Sequence, residues 1–158
     1  MAGATGIKHI AMAVSDVDAA LAGYQRLLGV GFDARRYELG KAGSREAHFN
    51  IGDVEFQLCQ SVDADGRFND YIRAHGQGVH HICFTVDDVN ATVAGAVAGG
   101  ATLKRCKSCD VVGVHEHPEG WIAFVERDEV PGLEVEYMQV YRDGEMPERF
   151  RRPADRAV

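Results

Sequence analysis

Four side chains in this sequence have the types and the placement to hold a metal ion: His9, Gln57, His81 and Glu136. Two imidazoles, an amide oxygen and a carboxylate suit a borderline or hard divalent cation and leave coordination positions for water or substrate. Two histidines and one carboxylate alone make the three-ligand face of iron oxygenases. These residues stand out because they come in pairs. The run Lys8-His9-Ile10-Ala11-Met12-Ala13-Val14-Ser15-Asp16-Val17 is echoed by His80-His81-Ile82-Cys83-Phe84-Thr85-Val86-Asp87-Asp88-Val89, and Val54-Glu55-Phe56-Gln57-Leu58 by Leu133-Glu134-Val135-Glu136-Tyr137. His9 therefore pairs with His81, and Gln57 with Glu136. One histidine on a strand is ordinarily a hydrogen-bonded structural group, whereas four polar residues related by an internal repeat point to a shared site.

The elements that must position these residues follow from periodicity. Residues 7–14 alternate, with Ile10, Met12 and Val14 on one strand face and His9, Ala11 and Ala13 on the other. Ser15 is the expected helix cap, with Asp18 three residues on, and Val17, Leu21, Tyr24 and Leu28 recur at helical spacing up to Gly29. Strands are expected at 30–37 and 45–51, joined by Gly40-Lys41-Ala42-Gly43, and from Val54 after the turn Gly52-Asp53. The linker 61–78 has helical character near Asn69 to Ala74. A second unit follows: strand 79–86, a helix from Val89 to Ala98 ended by Gly99-Gly100, strands near 101–105, 110–114 and 121–126, and a last strand at 133–140. The pattern is an α+β fold of two tandem βαβββ modules.

Across these strands one face is bulky (Ile10, Met12, Val14, Phe56, Leu58, Ile82, Phe84) and the other small or polar (His9, Ala11, Ala13, Gln57, Cys59, His81, Cys83, Glu136). Small residues punctuated by polar ones leave voids and unpaired groups if packed as a core, so that face is expected to wall a cavity. His80 falls on the apolar face and reads as scaffold. His48, His75, His115 and His117 are expected in or beside loops, with the segment Val114-His115-Glu116-His117-Pro118 solvated.

The 158 residues, 46% hydrophobic and 26% charged, describe an ordinary globular chain. It is read as one domain, 1–158: module one at 7–60, the linker 61–78, module two at 79–140 and a tail at 141–158. A net charge of −7 argues against nucleic acid as a partner, although Arg149, Arg151, Arg152 and Arg156 cluster in the tail. No apolar run is long enough for a bilayer and no secretory signal is recognisable in Met1–Gly6, so the expectation is a cytoplasmic protein without a membrane partner. The four cysteines are then expected as free thiols. Cys106-Lys107-Ser108-Cys109 has metal-finger spacing but lacks a second such pair.

Tandem strand–helix–strand modules with these histidines and carboxylates resemble the vicinal oxygen chelate superfamily of glyoxalases, bleomycin-resistance proteins and dioxygenases. Within it, Lys8–Val14, Gly78-Val79-His80-His81-Ile82-Cys83 and Gly132-Leu133-Glu134-Val135-Glu136 are most similar to the methylmalonyl-CoA epimerase family. The resemblance covers residues 7–140. It implies a curved mixed sheet around a metal-binding cleft, a divalent ion (cobalt, manganese, nickel, zinc or iron) on His9, Gln57, His81 and Glu136, and a homodimer. The implied reaction is α-proton removal and return on an acyl-CoA thioester, with Glu136 also taking part in proton transfer. A polyanionic substrate would need local cations such as Arg35, Arg36, Lys104, Arg105 or Lys107. The family's second acid–base glutamate corresponds to Lys41; Glu38, Glu46, Glu55 and Glu134 are the carboxylates left to replace it. A glyoxalase I-type lyase or isomerase, a small iron dioxygenase and a non-catalytic binding or resistance protein are the alternatives.

Overall fold

The computed structural model describes residues 3–29, 43–107 and 109–150, and the backbone of 35–38. Module one runs β1 (Gly6–Ala13), α1 (Val17–Leu28), β2 (Arg35–Glu38), β3 (Ser44–Ile51) and β4 (Val54–Ser61). A helix, α2 (Arg67–His75), fills the linker. Module two runs β5 (Gly78–Thr85), α3 (Val89–Ala98), β6 (Leu103–Cys106), β7 (Val111–Val112), β8 (His115–His117), β9 (Gly120–Val130) and β10 (Leu133–Val140). The strands form one open mixed sheet in the order β2-β3-β4-β1-β5-β10-β9-β6-β7, with β8 paired to β9. No described helix is long and apolar enough to cross a membrane.

The modules meet through the antiparallel pair β1–β5, centred on Ile10 opposite Ile82. Moving outward in either direction, the register slips once. Lys8 is the extra residue on β1, between the pairs Ile7–Phe84 and His9–Cys83, and His80 is the extra residue on β5, between Ala11–His81 and Met12–Val79. The two bulges are related by a pseudo-two-fold axis through the Ile10–Ile82 pair, and each immediately precedes a repeat histidine. The parallel pairs agree with this symmetry: His9–Glu55 and Ala11–Gln57 on one side, His81–Glu134 and Cys83–Glu136 on the other. The sequence repeat is thus also a register repeat.

Helix α1 is capped by Asp16, not by Ser15. The Asp16 carboxylate accepts from the backbone N–H groups of Asp18 and Ala19 at 2.9 and 3.0 Å, and a carboxylate here also faces the positive end of the helix dipole. Ser15 instead donates its N–H and hydroxyl to Gln77. Asp88 caps α3 in the same way. The repeat extends one step further: Gln60, near the end of β4, accepts from the first N–H of α1, and Gln139, near the end of β10, from the first N–H of α3. Gly29, with φ of 63°, ends α1 in the left-handed conformation that glycine adopts without strain.

Helix α1 buries Val17 and Leu21 against Ala47, Phe49 and Leu58, with Tyr24 and Phe56 at the edge. Helix α3 buries Val89 and Val93 with Val86 and Ala123. On the opposite face, the expectation of a continuous cavity wall is corrected. Ala11, Ala13 and Cys59 are sealed by Phe68, Tyr71 and Ile72 of α2 and its neighbourhood, and Cys83 packs with Ile122, Phe124, Met138 and Cys106. The small side chains leave room for the fully buried Phe68 ring, so much of this face is packed core with the polar residues held between its patches. In the tail, Arg149 pairs with Glu116 and stacks on Phe150 in a short 3-10 turn, Glu148–Phe150; Arg151, Arg152 and Arg156 lie outside the described residues.

Candidate metal centre and its surroundings

Alternation along β1, β5 and β10 turns His9, His81 and Glu136 to one face, and the pseudo-two-fold brings them to one point. His9 Nε2, His81 Nε2 and Glu136 Oε2 form a triangle with every edge 3.2 Å. Three donors around one ion at about 2.1 Å and angles of about 100° have this separation. All three residues are 3–4% exposed. Burial by itself would push the Glu136 carboxyl up, but hydrogen bonds from His81 and His9 outweigh it and hold the carboxyl well below the usual range. Burial also pushes His81 down, against the pull of Glu136. The donor set therefore presents an ionised carboxylate to two ring nitrogens, and it fits a divalent cation.

Gln57 lies on the same face, paired through its backbone with Ala11, and its amide Nε2 donates to Glu55 Oε1 at 2.8 Å. It is brought into the neighbourhood of the triangle by register, while its described hydrogen bond runs to Glu55.

His80 departs from the expected position. The bulge at His80 interrupts the strict alternation, so His80 joins its neighbour: His80 Nδ1 lies 2.9 Å from His81 Nδ1. With an ion in the triangle, His81 Nε2 would give up its proton and Nδ1 would carry the ring's hydrogen, donating to His80. Such a partner fixes the tautomer of a ligating imidazole. His80 is buried, which pushes its pKa far down, and it is held edge-on by Phe68 and Tyr71 at 5.0 and 5.1 Å. Donor atoms of His80, His81 and Glu134 also lie within 4.8 Å of one another, and Glu134 is ion-paired with Lys104.

His48 lies inside the expected strand 45–51 but is held more closely than a loop-side position implies. It is half-buried on β3 between two carboxylates: Nε2 is 2.9 Å from Glu46 Oε2 and Nδ1 is 3.4 Å from Glu55 Oε1. Burial lowers the His48 pKa, yet hydrogen bonds to Glu46 and Glu55 raise it overall to about 9. Glu55, despite burial, is held down at about 2, chiefly by His48 and Gln57. This Glu46–His48–Glu55 cluster flanks Gln57 on the same sheet face. The alternation Glu46, His48, Asn50 carried the signal in the sequence, because three polar residues at every second position mark a strand face. Lys41 and the side chains of Arg35, Arg36 and Glu38 lie outside the described residues. His115 and His117 are likewise strand residues, on β8, held by pairing with β9.

Between α2 and module two lies a cavity of about 280 Å³, lined by Arg67, Lys104, Arg105, Lys107 and Arg127, by Asp70 and Glu134, and by His80 and Phe124 among others. Three of the candidate cations, Lys104, Arg105 and Lys107, meet here, joined by Arg67 and Arg127, which periodicity did not single out. The cations outnumber the carboxylates in a chain whose net charge is −7. His80 and Phe124 also touch the His81 ring, at centroid distances of 5.2 and 5.8 Å, so they stand between the cavity and the triangle.

A family model described as the glyoxalase/bleomycin resistance protein/dioxygenase superfamily matches residues 8–117. The mitochondrial methylmalonyl-CoA epimerase of Homo sapiens is 30% identical over 137 residues, which is 84% of this chain and 73% of that protein. A solved methylmalonyl-CoA epimerase in complex with methylmalonyl-CoA and NH4+ is 25% identical and superposes with a TM-score of 0.68, covering 92% of this chain and 100% of the other. The fold is shared with methylmalonyl-CoA epimerase from Mycobacterium tuberculosis, at a TM-score of 0.71, 20% identity and coverage of 89% and 91%. The matched segment contains both repeat histidines and most of the paired-module register, and this chain belongs to the glyoxalase/bleomycin resistance protein/dioxygenase superfamily.

Proposed function

We propose that the protein is an isomerase of the epimerase type, which removes and returns the proton next to the carbonyl of an acyl-CoA thioester of the methylmalonyl class. His9, Gln57, His81 and Glu136 would hold the divalent ion. The observation that carries this reading is the 3.2 Å triangle of buried donor atoms. A divalent ion there supplies the positive charge that makes a carbon acid beside a carbonyl removable near neutral pH.

The chain's own residues divide the remaining work. His80 holds the His81 ring in one tautomer. Glu136 is both ligand and the carboxylate that handles the proton on one face of the reacting carbon. For the other face we assign the Glu46–His48–Glu55 cluster, where an imidazolium between two carboxylates can give a proton and take one back. The proton that leaves carbon is replaced on the opposite face, so atoms balance without an oxidant. The cationic cavity beside His80 suits the phosphates of a coenzyme A ester. The similar methylmalonyl-CoA epimerases, one of them solved in complex with methylmalonyl-CoA, support the substrate class.

The test is deuterium incorporation at the α-carbon of methylmalonyl-CoA in heavy water with metal-loaded protein. Exchange that is lost in Glu136→Gln supports the assignment; absence of exchange in the loaded wild type overturns it.

A further inference from the structure

Cys106 ends β6 and is 4% exposed, whereas Cys109 is exposed. The two ends of the stretch from Cys106 to Asp110 are drawn together: the N–H of Asp110 donates to the Cys106 carbonyl at 2.8 Å, and Asp110 takes a positive φ of 57°. Arg105 Nη1 clamps the turn from outside, reaching the Asp110 carbonyl at 3.0 Å and its carboxylate at 3.1 Å. After β7 the backbone reverses at Gly113, with φ of 92°, and delivers His115 to the same place. A sulfur from each cysteine and a ring nitrogen of His115 all lie within 4.8 Å of one another.

The histidine is prepared for a ligand. Its Nδ1 lies 2.8 Å from the Gly113 carbonyl and so carries the proton, while Nε2 is buried with no hydrogen-bond partner among the described residues. An imidazole oriented through a backbone carbonyl, with its other nitrogen's lone pair unused, is the usual state of a metal-ligating histidine. Two sulfurs at C-x-x-C spacing on a tight turn complete three of the four vertices that a zinc-class ion takes up. Tetrahedral thiolate ligands at about 2.3 Å from such an ion are about 3.8 Å apart, so the three groups need close by no more than about an ångström. The exposed side of Cys109 leaves the fourth vertex to water or an incoming ligand.

We infer that Cys106, Cys109 and His115 form a second metal site, selective for a thiophilic divalent ion of the zinc class and separate from the histidine–carboxylate triangle. Cys106 also lines the cationic cavity between Arg105 and Lys107, so an ion here fixes the β6–β8 segment that carries part of that wall. The site requires nothing from the proposed reaction and stands if that reaction is wrong.

The experiment is cobalt(II) titration of the reduced, chelator-stripped full-length chain, followed by the near-ultraviolet thiolate-to-cobalt charge-transfer absorption, a signal the triangle cannot give. The wild type should develop this absorption and bind about one more equivalent of cobalt than Cys109→Ser, which should lose the band; His115→Gln should weaken cobalt binding at this site at least about tenfold. The folded triangle variant His9→Ala/His81→Ala should keep the band. Cys109 is exposed, so its serine variant tests the site without disturbing the core, with circular dichroism confirming the fold. No band in the reduced wild type, a band that survives Cys109→Ser, or a band lost in the folded triangle variant would overturn the inference.

Discussion

Replacing His48 with glutamine should remove a block of stability whose size depends on pH in a defined way. In the folded chain His48 lies between Glu46 and Glu55 with its side chain 13% exposed, and its pKa is raised from 6.5 to about 9. A raised histidine pKa means that folding takes up a proton. The stabilisation is therefore complete below the unfolded value and disappears as pH climbs through the folded one. Linkage between 6.5 and about 9 gives about 3 kcal/mol near pH 6, about 2 near pH 7.5 and about 0.2 near pH 9.5. For a chain of this length these correspond to gaps in Tm between wild type and His48→Gln of about 6–12 °C, about 4–8 °C and under about 1 °C. Thermal melts of both proteins, metal-free, at the three pH values read the difference directly. A gap that stays constant across the range, or widens toward pH 9.5, would refute the ion-pair reasoning and leave only a packing role for the ring.

Phe68→Ala should cost about 3–5 kcal/mol in chemical denaturation, because the ring is 1% exposed and is the fully buried member of the group, with Tyr71 and Ile72, that covers Ala11, Ala13 and Cys59; a loss below about 1 kcal/mol would show that α2 does not seal the sheet. His80→Ala should weaken divalent-ion binding at the triangle about 10–100-fold by calorimetry, since it frees the His81 ring, and His80→Asn should restore part of it; unchanged affinity would rule out the orienting role. Removing divalent ions with a chelator should lower the wild-type Tm, and re-adding ion at about 100 times its Kd should restore about 2.7 kcal/mol; a His81→Ala chain that responds equally would place the ion elsewhere. Arg127→Glu, at the cavity wall, should raise the KM for a coenzyme A ester at least about tenfold while leaving exchange on a truncated thioester unchanged; an equal effect on both would remove the phosphate assignment.

The triangle was legible because alternation and duplication each place His9, His81 and Glu136, and the two observations are independent. The boundaries of α1 and α3 followed from spacing and from the glycines after them. His80 was misread for a local reason: one extra residue on β5 breaks the period of two, and a bulge leaves no mark in composition. The alanines and Cys59 were misread for a non-local one. Small residues mark a void or a large neighbour equally well, and Phe68 arrives from a linker whose docking no strand pattern encodes. The Cys106–Cys109–His115 grouping was hidden because its third member sits beyond a short strand and a glycine reversal. His48 falls within the expected strand 45–51, and only the β3–β4 register shows that Glu55 of the next strand joins Glu46 beside it.

The axis through Ile10 and Ile82 has a stereochemical consequence. A two-fold axis carries one face of a planar group onto the other, so a trigonal carbon held on it meets related side chains from above and below. A protein assembled from a duplicated half thus starts with matching equipment on the two sides of such a carbon. Divergence between the halves, glutamine at 57 against glutamate at 136 and a half-buried histidine at 48 against phenylalanine at 124, would under the proposed reaction decide which side gives a proton and which receives one. A fold without this internal symmetry would have had to arrive at both sides separately.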